Sequence, residues 1–208
     1  RMRRAEPNRA HYALAELEQL GAVSGVITQN VDGLHARAGS SRLLALHGDL
    51  SRIVCLDCGQ DESRESLDTR LDAANLGYLA RLEDEELRVN PDGDVELDDR
   101  YIRDFQMMPC LGCGSTRLKP DVVYFGESVP AERKALKDAM LAECSALLVV
   151  GSSVAVMSSY KIVLEALRAG KPVAVINGGP GRADAKATYL WRSGVGEALE
   201  LMLDEVDV

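Results

Sequence analysis

The chain has 208 residues, 46% of them apolar and 27% charged, which suits one sizeable globular domain with a smaller module attached. No stretch reaches the roughly 18 to 20 uninterrupted apolar residues that a membrane span needs, and the basic start Arg1 to Arg4 lacks the apolar run of a signal peptide. The net charge of −9 lies in one segment: Asp61 to Arg100 carries 14 acidic side chains against 5 arginines, and the remainder is neutral, so no basic face marks a nucleic-acid partner.

In chain order, Asn8 caps a helix over Ala10 to Leu20 that stops at Gly21, with Leu14, Leu17 and Leu20 on one face. Val23 to Thr28 reads as a short strand that runs into the polar loop Gln29, Asn30, Val31, Asp32 and Gly33. Leu43 to Leu46 and Ile53 to Cys55 are further strands around His47 and Gly48. Gly59 to Pro109 is a charged excursion with helices near Glu65 to Leu71 and Leu79 to Leu87 and a turn at Asn90 to Gly93. Beyond it the pattern is regular. Val122 to Phe125 reads as a buried strand, Pro130 to Cys144 as a helix opened by the proline, and Ala146 to Val150 as a strand. Met157 to Ala169 is a helix stopped by Gly170, Val173 to Ile176 a strand, and Gly196 to Val206 an amphipathic helix.

Apolar strands that alternate with helices predict an α/β fold with a parallel sheet covered on both faces. Ligands in such sheets bind at the carboxyl ends of strands, and polar or glycine-rich loops follow Thr28, Val150 and Ile176.

Four of the five cysteines form two matching C-x-x-C-G units, Cys55 with Cys58 and Cys110 with Cys113. Two such pairs without a secretory signal predict one closed, tetrahedral, structural zinc site rather than disulfides. The 51 residues between Cys58 and Cys110 are tolerable because loop-closure cost grows only logarithmically with length. Cys144, at an apolar helix end, is read as core. His47 leaves an apolar strand beside the polar loops, where an imidazole suits general-base work, although a lone histidine at a strand end is as readily structural. Gln29 to Asp32 offer amide and carboxylate groups suited to ribose hydroxyls and a carboxamide; a plain turn would also use them. Gly151, Ser152 and Ser153 form a loop that lets backbone approach a phosphate or ribose, and Asn177, Gly178 and Gly179 could do the same or be only a turn.

Together these pieces resemble the sirtuin family. Thr28 to His35, Leu46 to Gly48, the two cysteine pairs, Lys119 to Glu127, Val150 to Ser153 and Asn177 to Asp184 occur in sirtuin order, with details most like its class II branch of bacterial and mitochondrial-type members. The resemblance implies a Rossmann-like domain formed by residues 1–51 and 119–208, interrupted by a zinc module with an acidic insertion at 52–118. It implies NAD and one structural zinc, and acyl-lysine proteins or peptides as partners. Lysine acyl groups would be removed to give nicotinamide and O-acyl-ADP-ribose: the acyl oxygen displaces nicotinamide, and His47 then takes a ribose hydroxyl proton.

The same resemblance assigns Gln29 and Asn30 to the ribose next to nicotinamide, and Val31 and Asp32 to the carboxamide. Gly151, Ser152, Ser153, Asn177, Gly178 and Gly179 go to the phosphates and adenosine ribose, and Val195 to adenine through its backbone. Val123 and Phe125 are assigned to the acyl-lysine, and Gly126 and Glu127 to the substrate backbone. The family's glycine-rich pyrophosphate loop has no counterpart here, so these 208 residues alone are expected to be inactive and to bind NAD poorly. Protein mono-ADP-ribosyl transfer and a non-catalytic zinc-ribbon or acyl-lysine reader are the rival readings. The expected location is cytoplasmic for a bacterial source and the mitochondrial matrix for a eukaryotic one; the oligomeric state is open.

Overall fold

The computed structural model describes residues 5–83 and 99–206. Its first elements are α1 (Arg9–Gln19), β1 (Val26–Thr28), α2 (Leu34–Arg37), β2 (Leu43–Ala45), β3 (Gly48–Cys55), β4 (Asp61–Ser63), α3 (Arg64–Ala74), α4 (Tyr78–Glu83) and α5 (Asp99–Arg103). They continue with β5 (Leu118–Val122), α6 (Ala131–Glu143), β6 (Leu147–Val150), α7 (Met157–Arg168), β7 (Val173–Ile176), a 3-10 turn at Asp184–Lys186, β8 (Tyr189–Trp191) and α8 (Val195–Val206). The chain divides into two compact units, Arg1–Asp49 with Val123–Val208, and Leu50–Val122.

In the first unit α1 begins where the Asn8 side chain accepts the Ala10 and His11 N–H groups, while the His11 ring accepts the Asn8 N–H. This reciprocal cap satisfies donors the first turn would otherwise leave open. Ala13 and Leu17 of α1 bury against Leu199 of α8. Leu20, expected on that face, is the residue that caps the helix end and stays exposed.

Two parallel sheets carry the polar loops. β1 pairs with β2, Val26 opposite Leu43, and β6, β7 and β8 pair in that order, with Leu147 opposite Val173 and Ala174 opposite Tyr189. Val149, Val173 and Val175 form one core with Tyr160, Ile162, Val163 and Ala166 of α7 and with Leu141 of α6. Their alternate burial follows from the two-residue period of a strand. β8 is missing from the sequence-based expectation because three exposed residues carry no apolar periodicity.

The second unit holds a sheet ordered β4-β3-β5, with β3 and β4 antiparallel. β4 has no strand-like composition. It forms because the turn from Cys55 to Gln60, closed by Cys55 N–H donating to the Gln60 carbonyl at 2.9 Å, folds the chain back along β3. The expected strand at Val122 to Phe125 is corrected to Leu118–Val122. The chain leaves the extended form after Val123 and turns on Gly126, whose φ of 88° suits glycine, leaving Phe125 fully exposed rather than buried. Of the expected helix Leu79 to Leu87, α4 supplies the part up to Glu83; its remainder and the turn at Asn90 to Gly93 lie outside the described residues.

Candidate functional site

Three loops at strand ends of the first unit meet through polar side chains. The Gln29 side chain, just past β1, donates to Ser152 Oγ, just past β6, at 2.8 Å. Ser152 Oγ also accepts the Val154 N–H at 3.1 Å. Val154 has φ of 44°, a left-handed conformation that costs a β-branched residue of the order of 1–3 kcal/mol. Its side chain is buried, and the surrounding segment is clamped. Arg182 donates its N–H to the Ser153 carbonyl at 2.8 Å and its guanidinium to the Ala155 carbonyl at 3.2 Å, and stacks 4.3 Å over the Tyr160 ring. Beside it, Asp184 accepts the Gly181 N–H at 2.6 Å and Arg192 at 2.5 Å; these two donors, in that order, hold its carboxyl below the usual range. Arg192 also donates to the Gly179 carbonyl, fixing the loop after β7.

Gly151 donates to the Ile176 carbonyl at 2.9 Å and Asn177 to the Trp191 carbonyl at 3.2 Å, so both residues continue the ladder past the strands. A side chain at Gly151 would meet Val195 Cγ2 at 3.2 Å, which keeps this strand end bare of side chain. Gly151 to Ser153, Asn177 to Gly179 and Val195, assigned together from resemblance, thus share one edge of the unit. Gln29 joins them directly. Asn30 and Asp32 line a separate small depression with Thr28, His35 and Asp49. There Asp32 accepts the Leu34 N–H at 3.0 Å and so opens α2 through Gly33, at φ of 71°.

His47 sits between these loops. Leu46 N–H donates to the Thr28 carbonyl, and the His47 carbonyl accepts the Val123 N–H, both at 2.8 Å, so the backbone is pinned on each side. The ring is pinned as well, Nδ1 lying 3.2 Å from the Gln29 carbonyl and Nε2 2.9 Å from Ser158 Oγ on α7. A carbonyl oxygen only accepts, so in the neutral ring Nδ1 carries the proton and Nε2 presents a lone pair. Val123 is thereby placed beside the histidine. Phe125, Gly126 and Glu127 stand on the exposed turn that follows, where the Tyr124 N–H donates to the Glu127 carboxylate and the Glu127 N–H to the Tyr124 carbonyl, each at 3.0 Å.

In the second unit Cys55, Cys58, Cys110 and Cys113 bring their four sulfurs within 4.8 Å of one another. The Cys55–Cys113 and Cys58–Cys110 separations are 3.6 and 3.7 Å. A tetrahedron with metal–sulfur bonds of about 2.3 Å has edges of roughly 3.8 Å, so the set fits one zinc ion. The two knuckles repeat one geometry. Gly59 donates to the Cys55 carbonyl and Gly114 to the Cys110 carbonyl, each at 3.0 Å, and Cys110 N–H reaches the Ser115 carbonyl as Cys55 reaches Gln60. The backbone N–H groups of Cys58 and then Asp57 bring the Cys55 thiol down to about 7, whereas hydrogen bonding among the crowded thiols pushes Cys58 and Cys113 up. Cys144 lies elsewhere, packed on the core of the first unit.

Closure of the long gap rests on α3. Arg70 donates to the Pro109 carbonyl at 2.8 Å and pairs with Glu62 at 2.5 Å. Asn75 both donates to the Gln106 carbonyl, at 2.9 Å, and accepts its N–H, at 2.7 Å. The sequence assigns no role to Arg70, Asn75, Ser158 or Arg192, and Arg182 enters only as a member of the Asn177 to Asp184 motif. The arginines and the asparagine act on backbone carbonyls distant in the chain, which leaves no spacing signal, and no local rule separates Ser158 from Ser159.

Residues 1–158 match the model of the Sir2 family. The chain is 59% identical over 204 residues to NAD-dependent protein deacetylase 1 of Corynebacterium efficiens, covering 98% of itself and 73% of that protein. It is 42% identical over 197 residues to the human mitochondrial NAD-dependent protein lipoamidase sirtuin-4, covering 95% of itself and 61% of that protein. The structure of Sir2Af2 bound to a myristoylated histone peptide superposes with a TM-score of 0.70 at 33% identity, over 98% of this chain and 73% of that one.

Proposed function

Since this chain belongs to the Sir2 family, we propose that it removes acyl groups from protein lysine side chains at the expense of NAD, giving nicotinamide and O-acyl-ADP-ribose. The observation that carries the reading is the geometry of His47: an imidazole pinned by the Gln29 carbonyl of a strand-end loop at Nδ1 and by Ser158 of α7 at Nε2, in a chain 59% identical to a named deacetylase. The relatives are named NAD-dependent protein deacetylase and NAD-dependent protein lipoamidase, and the neighbouring structure holds a myristoylated histone peptide, so acyl-lysine is the substrate class proposed here.

The loops suit a dinucleotide. Gly151 keeps the end of β6 bare, and the Gln29 amide, the serine hydroxyls and Asn177 supply donors and acceptors at the strand ends, as open α/β sheets do for nucleotides. When bound, NAD supplies a ribose carbon activated by its bond to nicotinamide. Gln29 and Asn30 then serve its nearer ribose, Val31 and Asp32 the carboxamide, and Gly151, Ser152, Ser153, Asn177, Gly178, Gly179 and Val195 the remaining nucleotide. Val123 and Phe125 hold the acyl-lysine, with Gly126 and Glu127 along the peptide backbone. His47 Nε2 would accept the proton of a ribose hydroxyl.

Cys55, Cys58, Cys110 and Cys113 would hold one zinc, whose four sulfur ligands would give it a supporting role in the second unit. The enzyme would work in the cytoplasm of a bacterium or in the mitochondrial matrix of a eukaryote, in keeping with its bacterial and mitochondrial relatives. Among the described residues no helix is long and apolar enough to cross a membrane.

Mass spectrometry of the products from a panel of acyl-lysine peptides incubated with protein and NAD tests the proposal. Equimolar free lysine peptide, nicotinamide and O-acyl-ADP-ribose are expected. ADP-ribosylated peptide that retains its acyl group would favour transfer instead.

A further inference from the structure

Ser158 and Ser159 follow one another in the first turn of α7, yet they do different things. Ser159 is buried, and its hydroxyl donates to the Val156 carbonyl of its own turn at 2.9 Å, a local bond that serines at helix starts commonly make. The Ser158 hydroxyl instead lies 2.9 Å from Nε2 of His47, 111 positions away in the chain. The opposite ring nitrogen faces the Gln29 carbonyl, an acceptor only, so the Nδ1–H tautomer leaves Nε2 as acceptor and Ser158 as donor. The imidazole is held between a carbonyl on one side and a hydroxyl on the other, and both ends of the clamp come from elements distant in sequence.

We propose that Ser158 is a positioning residue for the base: its hydroxyl holds the His47 ring plane and keeps the Nε2 lone pair aimed, until an incoming ribose hydroxyl replaces it as donor to the same nitrogen. The exchange conserves the hydrogen bond, Nε2 accepting first from Ser158 and then from the sugar, whose proton it takes. Nδ1 keeps its proton on the Gln29 carbonyl throughout, so the ring becomes an imidazolium when Nε2 takes the sugar's proton. The proposal rests on the deacylase reading above, and it assigns Ser158 to the step after nicotinamide departure rather than to NAD cleavage.

The test uses the wild-type protein with Ser158→Ala, Ser158→Thr and, as a control outside the clamp, Ser159→Ala. In NAD-free protein, nitrogen-15 spectra of the wild type should show His47 protonated on Nδ1 and hydrogen-bonded at Nε2. The Nε2 resonance should move in Ser158→Ala and stay near its wild-type place in Ser158→Thr and Ser159→Ala. With NAD and acyl-peptide, Ser158→Ala should lower deacylation turnover roughly tenfold, because a misplaced general base loses part of its advantage. Exchange of labelled nicotinamide into NAD should remain within about twofold of wild type, since it precedes the base's step, and Ser158→Thr should recover most of the turnover. An unmoved Nε2 resonance in Ser158→Ala would overturn the assignment. So would wild-type deacylation by that variant, or a fall in exchange and deacylation together. If the wild type itself shows no acyl-peptide-dependent reaction, the deacylase reading fails instead, and the spectra still decide the hydrogen bond.

Discussion

The two units of this chain build their sites by opposite means. In Leu50–Val122 the four thiols come as two copies of one short turn, Cys55 to Gln60 and Cys110 to Ser115, each complete within six residues and closed by the same pair of backbone hydrogen bonds. In the other unit nothing is complete locally. Gln29 meets Ser152 across 123 positions, and His47 meets Gln29 across 18 and Ser158 across 111. A metal site can be carried by turns and then tied together by the ion, whereas a base among nucleotide-binding loops needs the whole parallel topology to exist first. The difference teaches where each site is fragile: the first fails by losing its ligand, the second by losing alignment.

The sharpest way to break the comparison is to remove a thiolate. Cys110→Ala should release the zinc and unfold the second unit, because structural zinc contributes on the order of 10 kcal/mol or more to folding such modules. Metal analysis paired with hydrogen exchange should show zinc lost and fast exchange over α3 and β3. Full zinc retention on three sulfurs would contradict the shared-ion account.

Next in size, His47→Ala in the intact protein should lower deacylation roughly 100-fold or more while leaving the zinc and NAD binding nearly unchanged, as loss of a general base does. Steady-state kinetics with calorimetry on the same preparation check this, and near wild-type turnover would remove His47 from the mechanism.

How much of this was legible beforehand follows the same divide. The cysteine pairs announced a metal from spacing alone, and the strand ends after Thr28, Val150 and Ile176 pointed to loops that the fold brings together. Residue roles within those loops came from resemblance. The hidden parts share one physical feature. β4 exists only because a knuckle reverses the chain, β5 ends at Val122 because Gly126 turns it, and Arg70, Asn75 and Arg182 work on backbone carbonyls that no side-chain pattern encodes. Ser158 and Ser159 are indistinguishable by residue type. Only the packing of α7 decides which of them reaches the histidine.

A smaller effect sharpens the contrast from the structural side of the first unit. Asn8→Ala removes the side-chain acceptor of the α1 cap and should cost about 1 kcal/mol, read as faster exchange in α1 with zinc content unchanged. Equal loss of protection in α3 would mean that the two units do not unfold separately.

The smallest expected effect is a pH slope confined to α1 and α2. The rings of His11 and His35 lie 4.6 Å apart. Burial holds both below their ordinary value of 6.5; the neighbouring His11 adds to this at His35, and Asp32 opposes it at both. Below 6.5 the unfolded chain therefore takes up protons that the folded chain resists, so the stability these rings permit is complete above that value and declines as pH falls through it. Thermal melts between pH 7 and 5 should show this decline, and His35→Phe should flatten it. A steeper slope in the variant would reverse the sign of the linkage.

The central claim is that these loops bring His47 to an NAD-dependent reaction of acylated lysine. Nicotinamide release from NAD, followed with and without an acyl-lysine peptide, tests it most directly. Release that requires the peptide and matches deacylation mole for mole is the predicted result. Release at the same rate without the peptide, or deacylation without NAD, would contradict it.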